Sequence, residues 1–389
     1  MHILLLCEGN AETWDCWSGT AKSLVDQLRQ AGHTVGAGDV ALYGRDRWIA
    51  AAATFALDRR RWGVRYRLMA EPFRRRTRRA DLCIPAHGRD FDLILQIGAT
   101  FRPPRPRHTP YVLYCDSNIR EAERGIGTGH SPARWLRPDE VRAVIEREAA
   151  VYRGASAIFT ISERLRRSFL EDFEIPAERV CTVHAGPNFD ITRIPPDDAL
   201  AARAAAHPPT ILFVGAQFER KGGDTLVRAF RRVRETIPNA QLRIVGPESL
   251  RVADPGVECW GFLSKGDPAG WAQIVDAYAS ADVFCLPTRF EPFGIAFLEA
   301  MYFGLPCIGP DAWAIPEMIT HDVTGLTFPV DDVEALTACL LRLLRDRELA
   351  RQMGRAGRAR AASYFTWRAV VDRIVAVVEP LVHQRRHVS

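Results

Sequence analysis

The sequence predicts an α/β fold built as two doubly wound parallel-sheet domains of similar size. Short apolar runs alternate with amphipathic helical stretches along the whole chain, the rhythm of a parallel sheet covered by helices. A segment rich in Pro and Ala, ITRIPPDDALAARAAAHPP at 191–209, interrupts that rhythm and reads as a linker. The length, 389 residues, suits two domains at roughly 150 residues each. With 47% apolar and 25% charged residues, the composition excludes disordered and fibrous classes.

In the first half the run at 2–7 is the first strand, followed by a loop and a helix over 20–31 that Gly32 ends. DLILQI (92–97), YVLYC (111–115) and AIFTI (157–161) are further strands. A helix starts at Ser162, and 180–184 closes the series. The second half restarts with ILFVG, a loop and a helix over 225–236, then LRIVG and ADVFCL. A helix over 295–303 follows, then PCIG and GLTF, a helix over 332–345 and another after Phe365. The expected boundaries are a first domain at 1–190, the linker, a second domain at 210–365, and a C-terminal helix at 366–389 packing back on the first domain. Ligands of open α/β sheets sit at the carboxyl ends of the strands, so the loops that follow each strand carry the function.

Lys plus Arg is 52 and Asp plus Glu is 47, a net charge of +5. That is too mild to signal nucleic-acid binding. Only three basic residues are Lys, at 22, 221 and 265, so a Lys inside a motif is unusually informative. The nine Cys are widely spaced without a CxxC, which predicts reduced core thiols in a cytoplasmic protein. MHILLLCEGN reads as a first strand and not a signal peptide, and no run approaches 18 apolar residues. Residues 59–79 hold ten Arg against one Glu with aromatic residues interleaved. This pattern suits peripheral contact with an anionic membrane face or an acidic acceptor, against the plainer reading of a solvated basic face.

The most informative stretch is LPTRFEPFGIAFLEAMYFGLPCIG, 286–309. Pro292 suits a helix start, and Gly294 lets the backbone approach a ligand. The backbone N–H groups of Phe293, Gly294 and Ile295 then point at an anion. Glu291 precedes this helix and Glu299 lies inside it. Carboxylates repel phosphate but accept hydrogen bonds from sugar hydroxyls. A nucleotide sugar, with phosphate in the middle and a sugar on each side, fits that arrangement. FVGAQFERKGG at 213–223 adds Gly215 after a strand and the cationic pair Arg220 and Lys221 before two Gly. Arg offers bidentate contacts to phosphate oxygens and Lys a compact charge.

These motifs resemble the retaining glycosyltransferases of family 4 (glycosyl transferases group 1), whose signature is an E-x7-E pair in this setting. The resemblance implies the GT-B fold, two Rossmann-like doubly wound domains facing a central cleft. It further implies sugar transfer from a nucleotide-diphosphate sugar of UDP or GDP type to a hydroxyl acceptor, without cofactor or metal. In it Arg220 and Lys221 hold the diphosphate, Glu291 takes hydroxyls of the transferred sugar, Glu299 takes the ribose, and Thr288 lies near the phosphates. The loop WGFL at 260–263, with Phe262, has two readings, a cover for the nucleobase or a simple turn between strand and helix. Gly19, in the Ser18–Thr20 helix opening, approaches the phosphates from the first domain. Asp116 and His130 are candidates for orienting the acceptor, against a helix cap and a surface loop as plainer roles. The chain departs from the family at Ala216, where many members carry Arg, and at Trp313-Ala314, which replace a Gly. Two alternatives stay open: another enzyme on the same fold, such as a nucleotide-sugar epimerase, and a non-catalytic nucleotide- or glycan-binding protein.

Overall fold

A computed structural model of the chain describes residues 1–87, 90–104, 109–196 and 207–388, with side chains through 383. The chain separates into two compact units. One comprises Met1–Ala185 with Trp367–Ser389, the other Gly186–Thr366. The expected linker at 191–209 lies partly outside the described residues, at 197–206. Ile191–Arg193 within it forms a short 3-10 turn whose Asp190 side chain accepts from the Thr192 N–H.

The first unit holds six parallel strands: β1 (His2–Cys7), β2 (Thr34–Asp39), β3 (Leu93–Ile97), β4 (Tyr111–Cys115), β5 (Ala157–Thr160) and β6 (Val180–Thr182). Their order in the sheet is β2-β1-β3-β4-β5-β6, so the winding reverses between β1 and β3. Both faces are covered, and β1, β3 and β4 therefore read as near-continuous apolar runs. The covering helices are α1 (Thr20–Gln30), α2 (Gly44–Ala53), α3 (Arg59–Leu68), α4 (Ala70–Ala86), α5 (Ile119–Arg124), α6 (Pro138–Gly154) and α7 (Glu163–Asp172).

The second unit carries β7 (Thr210–Val214), β8 (Gln241–Val245), β9 (Val257–Gly261), β10 (Val283–Cys285), β11 (Cys307–Pro310) and β12 (Gly325–Phe328), again all parallel. Their order is β12-β11-β10-β7-β8-β9, the doubly wound Rossmann order with its reversal between β7 and β10. Its helices are α8 (Gly223–Thr236), α9 (Pro268–Ala279), α10 (Ile295–Tyr302), the single turn α11 (Ile315–Met318), α12 (Val333–Arg345) and α13 (Arg347–Tyr364). The last helix, α14 (Trp367–Val388), belongs to the first unit and packs on α1.

Two local readings change. The segment 260–263 is only half loop, because Trp260 and Gly261 complete β9 opposite Val245. The strand β2, TVGAGD, has no run of large apolar residues to announce it. Its Gly38 faces the Leu6 side chain so closely that a Cβ would lie 2.6 Å from Leu6 Cδ2. All nine Cys are free thiols. Among the described residues no helix is long and apolar enough to cross a membrane.

Candidate functional site

The strand order reverses between β7 and β10, the place where ligands of open α/β sheets bind. The loop after β7 delivers Gly215, Arg220 and Lys221, and the loop after β10 delivers Thr288, Glu291 and Gly294. Lys221 Nζ contacts the Glu291 carboxylate directly. Arg220 lies 3.8 Å from the same carboxylate and donates to the Phe290 carbonyl at 2.6 Å. Burial pulls the Lys221 ammonium below the usual lysine range, while neighbouring Glu291 works against that shift. A Cβ on Gly215 would sit 3.1 Å from Lys221 Cγ, so that Gly leaves room for the lysine stem.

Arg289, which the sequence reading passed over, ties the two loops together. Its guanidinium donates to Asp331 at 2.7 Å, to Asp224 at 2.6 and 2.7 Å, to the Thr225 hydroxyl at 2.8 Å and to the Glu219 carbonyl at 2.6 Å. Its backbone N–H donates to the Arg220 carbonyl at 2.9 Å. The paired carboxylates, Asp224 first, raise its already high pKa. Thr288 is fully buried, and its hydroxyl faces the Arg220 and Phe290 carbonyls, each at 3.2 Å. It braces the loop from within. Trp313 adopts a left-handed φ of 60°. Its indole N–H donates to the Arg289 carbonyl at 3.1 Å, and its ring meets Phe290 edge-on at 5.0 Å.

Glu299 lies on α10 and is 3% exposed. Lys265 contacts its Oε1, the Asn188 N–H donates to the same oxygen at 3.3 Å, and the Tyr278 hydroxyl donates to Oε2 at 3.3 Å. Phe293 is a core side chain, so only its backbone is placed to meet a ligand. Phe262 follows β9 directly and is 56% exposed. Among the described residues no group of three or more His, Cys, Asp or Glu is placed to hold a metal ion.

Helix openings differ in kind, and α2, α4 and α11 start on Tyr43, Met69 and Ala314 without a side-chain cap. Away from the site, α5, α7, α9, α12 and α13 start on Asn118, Ser162, Asp267, Asp332 and Asp346, whose side chains accept first-turn N–H groups. By contrast α1, α8 and α10 start on Gly19, Gly222 and Gly294, all left-handed and without a side-chain cap. Each of these three follows a strand at a winding reversal. In α1 and α8 the first helical N–H is taken internally, Thr20 by the Trp17 carbonyl and Gly223 by the Phe218 carbonyl at 2.9 Å, so the α10 opening is the candidate for receiving an anion.

In the first unit, Gly19 ends a run of three left-handed residues with Trp17 (φ 51°) and Ser18 (φ 55°). Asp116 sits half-buried just past β4, while the cap of α5 is Asn118, not Asp116. His130 lies in the loop between two 3-10 turns, its N–H on the Thr128 hydroxyl at 3.2 Å. Sequence reasoning missed Glu148 on α6, whose carboxylate accepts the Ile119 N–H at 3.0 Å. Burial pushes its pKa up to about 7. The basic segment 59–79 forms α3 and the start of α4, and most of its Arg are used internally, Arg67 and Arg79 over the Trp17 and Tyr43 rings. Arg61 and Arg65 pair with Glu140, Arg74 and Arg75 with Glu71, and the buried Arg76 with Glu8 at 2.7 Å.

The model of the family "Glycosyl transferases group 1" matches residues 208–346, the stretch that builds this site. The GDP-mannose-dependent alpha-(1-6)-phosphatidylinositol monomannoside mannosyltransferase of Mycobacterium tuberculosis is 30% identical over 282 residues, covering 66% of this chain and 70% of that protein. The MMP alpha-(1->4)-mannosyltransferase of Mycolicibacterium hassiacum is 30% identical over 261 residues, covering 64% of this chain and 61% of that one. Among solved structures, sucrose-phosphate synthase of Thermosynechococcus elongatus superposes with a TM-score of 0.71 at 18% identity, covering 99% of this chain and 100% of that one. HepE of Anabaena, solved with UDP-glucose, gives 0.62 at 16% identity, covering 98% and 100%. Both share the fold, two parallel sheets of the GT-B class. With the signature residues gathered at one winding reversal and a match of this extent, the chain belongs to the group 1 glycosyl transferases.

Proposed function

We propose that this protein transfers a sugar from a nucleotide-diphosphate sugar to a hydroxyl acceptor, with retention at the anomeric carbon and without a metal ion. The observation that carries the reading is the convergence of Arg220, Lys221 and Glu291 beside the uncapped start of α10. The two cations and the first N–H groups of α10 neutralise the charge that grows on the leaving diphosphate. Glu291 accepts hydroxyls of the transferred sugar, and Glu299 accepts the ribose hydroxyls. The bond from the anomeric carbon to phosphate breaks, the bond to the acceptor oxygen forms on the same face, and the acceptor proton passes to the departing phosphate oxygen. The mycobacterial relative is named for GDP-mannose and HepE was solved with UDP-glucose, so both nucleotides are candidate donors.

A lipid-linked acceptor fits the first unit. Trp48, Phe55 and Leu57 are 76%, 58% and 94% exposed, next in sequence to the exposed Arg59 and Arg60. An apolar and cationic surface of this kind suits peripheral contact with an anionic membrane face. A panel of UDP-, GDP-, ADP- and CMP-sugars tests the main reading through acceptor-dependent release of nucleoside diphosphate. Lys221→Ala and Glu291→Ala are each expected to lower that release at least about a hundredfold with the fold retained, and addition of EDTA is expected to leave the wild-type rate unchanged. Wild-type rates in either variant would refute the site. Nucleotide-dependent melting without turnover on any acceptor would favour a binding protein instead.

A further inference from the structure

Lysine is scarce in this chain, and its placement is selective. Of the three Lys, two lie in the second unit, and each contacts one acid of the E-x7-E pair: Lys221 meets Glu291 and Lys265 meets Glu299. Arg supplies nearly all other positive charge. An Arg opposite a carboxylate grips both oxygens side by side, whereas an ammonium occupies one point. Where a carboxylate must still accept hydroxyls from a ligand, Lys is the partner that leaves it room.

The surroundings of Glu299 give this direction. Its Oε1 takes Lys265 and the Asn188 N–H, and among the described residues its Oε2 takes Tyr278. A carboxylate has about four acceptor positions, so one on the Oε2 side suits a further hydroxyl. Tyr278 is buried and stacks on Phe303 at 4.9 Å, which fixes its side of the carboxylate. Lys265 is held in turn over the Phe189 ring at 5.9 Å, and Phe189 packs on Trp271 at 5.4 Å.

We propose that Lys265 is a positioning residue: by holding Oε1 it turns the buried Glu299 carboxylate so that Oε2 reads the ribose diol of the donor, which sets a preference for ribonucleotides over 2′-deoxyribonucleotides. The inference rests on the donor-site reading above and adds the residue that makes Glu299 selective. Lys265 itself need not touch the nucleotide.

The test is calorimetric titration of the full chain with UDP and GDP and with the 2′-deoxy form of each. The wild type is expected to bind the ribo form of its nucleotide about tenfold more tightly than the deoxy form, the worth of one hydrogen bond to a charged group. Lys265→Met is expected to lose most of the ribo affinity while the deoxy affinity stays within about twofold, so the preference collapses. Lys265→Arg is expected to lose it too, because a bidentate grip fills both oxygens. Thermal melting of each variant, with Lys265→Gln as a second neutral replacement, separates a misfolded protein from a misaligned carboxylate. Equal loss of both ligands, or an unchanged preference in folded Lys265→Met and Lys265→Gln, would overturn the proposal while leaving the donor site standing, provided Glu299→Gln still abolishes the preference. A wild type that binds neither nucleotide would overturn both readings together.

Discussion

Arg289 shows how a single side chain organises the candidate site without facing a ligand. It joins Asp331, Asp224, Thr225 and the Glu219 carbonyl, which places the loop after β10 against the loop after β7. Removing Arg289 leaves the half-exposed Asp224 and Asp331 side by side without their shared counter-charge. Arg289→Met is therefore expected to cost about 1 kcal/mol of unfolding free energy in denaturant titration and to lower transfer, whereas Arg232→Met on α8, which removes an exposed pair with Glu334, should do neither. Glu148 makes a different prediction. Its pKa of about 7 lies above the ordinary carboxylate value of 4.5, chiefly because burial disfavours the charged form. The folded state then holds a proton that the unfolded state releases. Its contribution is complete below about 4.5 and is lost as pH rises through about 7. Melting at pH 5 and pH 8 should show a smaller drop for Glu148→Gln than for the wild type, and equal drops would exclude this carboxyl as the source.

At the scale of the element, the left-handed Gly openings of α1, α8 and α10 are the main structural signal, since α2 and α4 also lack a side-chain cap but start on extended residues. Side-chain caps stabilise helices that only build the scaffold, each by about 1 kcal/mol. The Gly openings of α1, α8 and α10 forgo that contribution; in α1 and α8 the first N–H goes to a loop carbonyl, and α10 keeps its opening for a ligand. Gly222 has a second reason to be Gly: at φ 71° a Cβ would lie 1.9 Å from the Pro287 carbonyl oxygen. Gly222→Ala must therefore push the β10 loop away from the β7 loop. The expected result is a lowered melting temperature together with a fall in nucleoside diphosphate affinity of tenfold or more, on the order of the strain of a left-handed residue plus the clash. Retained affinity would show that the two loops need not touch to bind. Many Arg of the basic segment are likewise spent inside the fold, which their sequence spacing did not reveal. Glu140, Glu71 and Glu8 come to them from α6, from α4 itself and from the loop after β1.

At the scale of the whole molecule, the two units differ in continuity. The second is one unbroken stretch, Gly186–Thr366, while the first needs both ends of the chain. Expressed alone, 186–366 is expected to fold and to bind nucleoside diphosphate without catalysing transfer, which thermal melting with UDP or GDP checks directly. The apolar surface of Trp48, Phe55 and Leu57 belongs to the first unit. Replacing Trp48 and Leu57 by Asp in the full chain is expected to reduce co-sedimentation with anionic vesicles while leaving melting temperature within a few degrees, since both side chains face solvent. Unchanged sedimentation would sink the membrane proposal.

The sequence by itself determined the fold class, the strands buried on both faces and the short motifs that meet at the second reversal. These are legible because a doubly covered strand must be apolar throughout, and because a left-handed helix opening admits little but Gly. Tertiary structure decided the rest. That Lys265 meets Glu299, that Arg289 knits two loops, that Arg76 is buried on Glu8 and that Glu148 accepts the Ile119 N–H are pairings between residues far apart in the chain. Local spacing carries no record of such pairs, because the charge and burial that define them exist only after the sheet has wound and the loops have met.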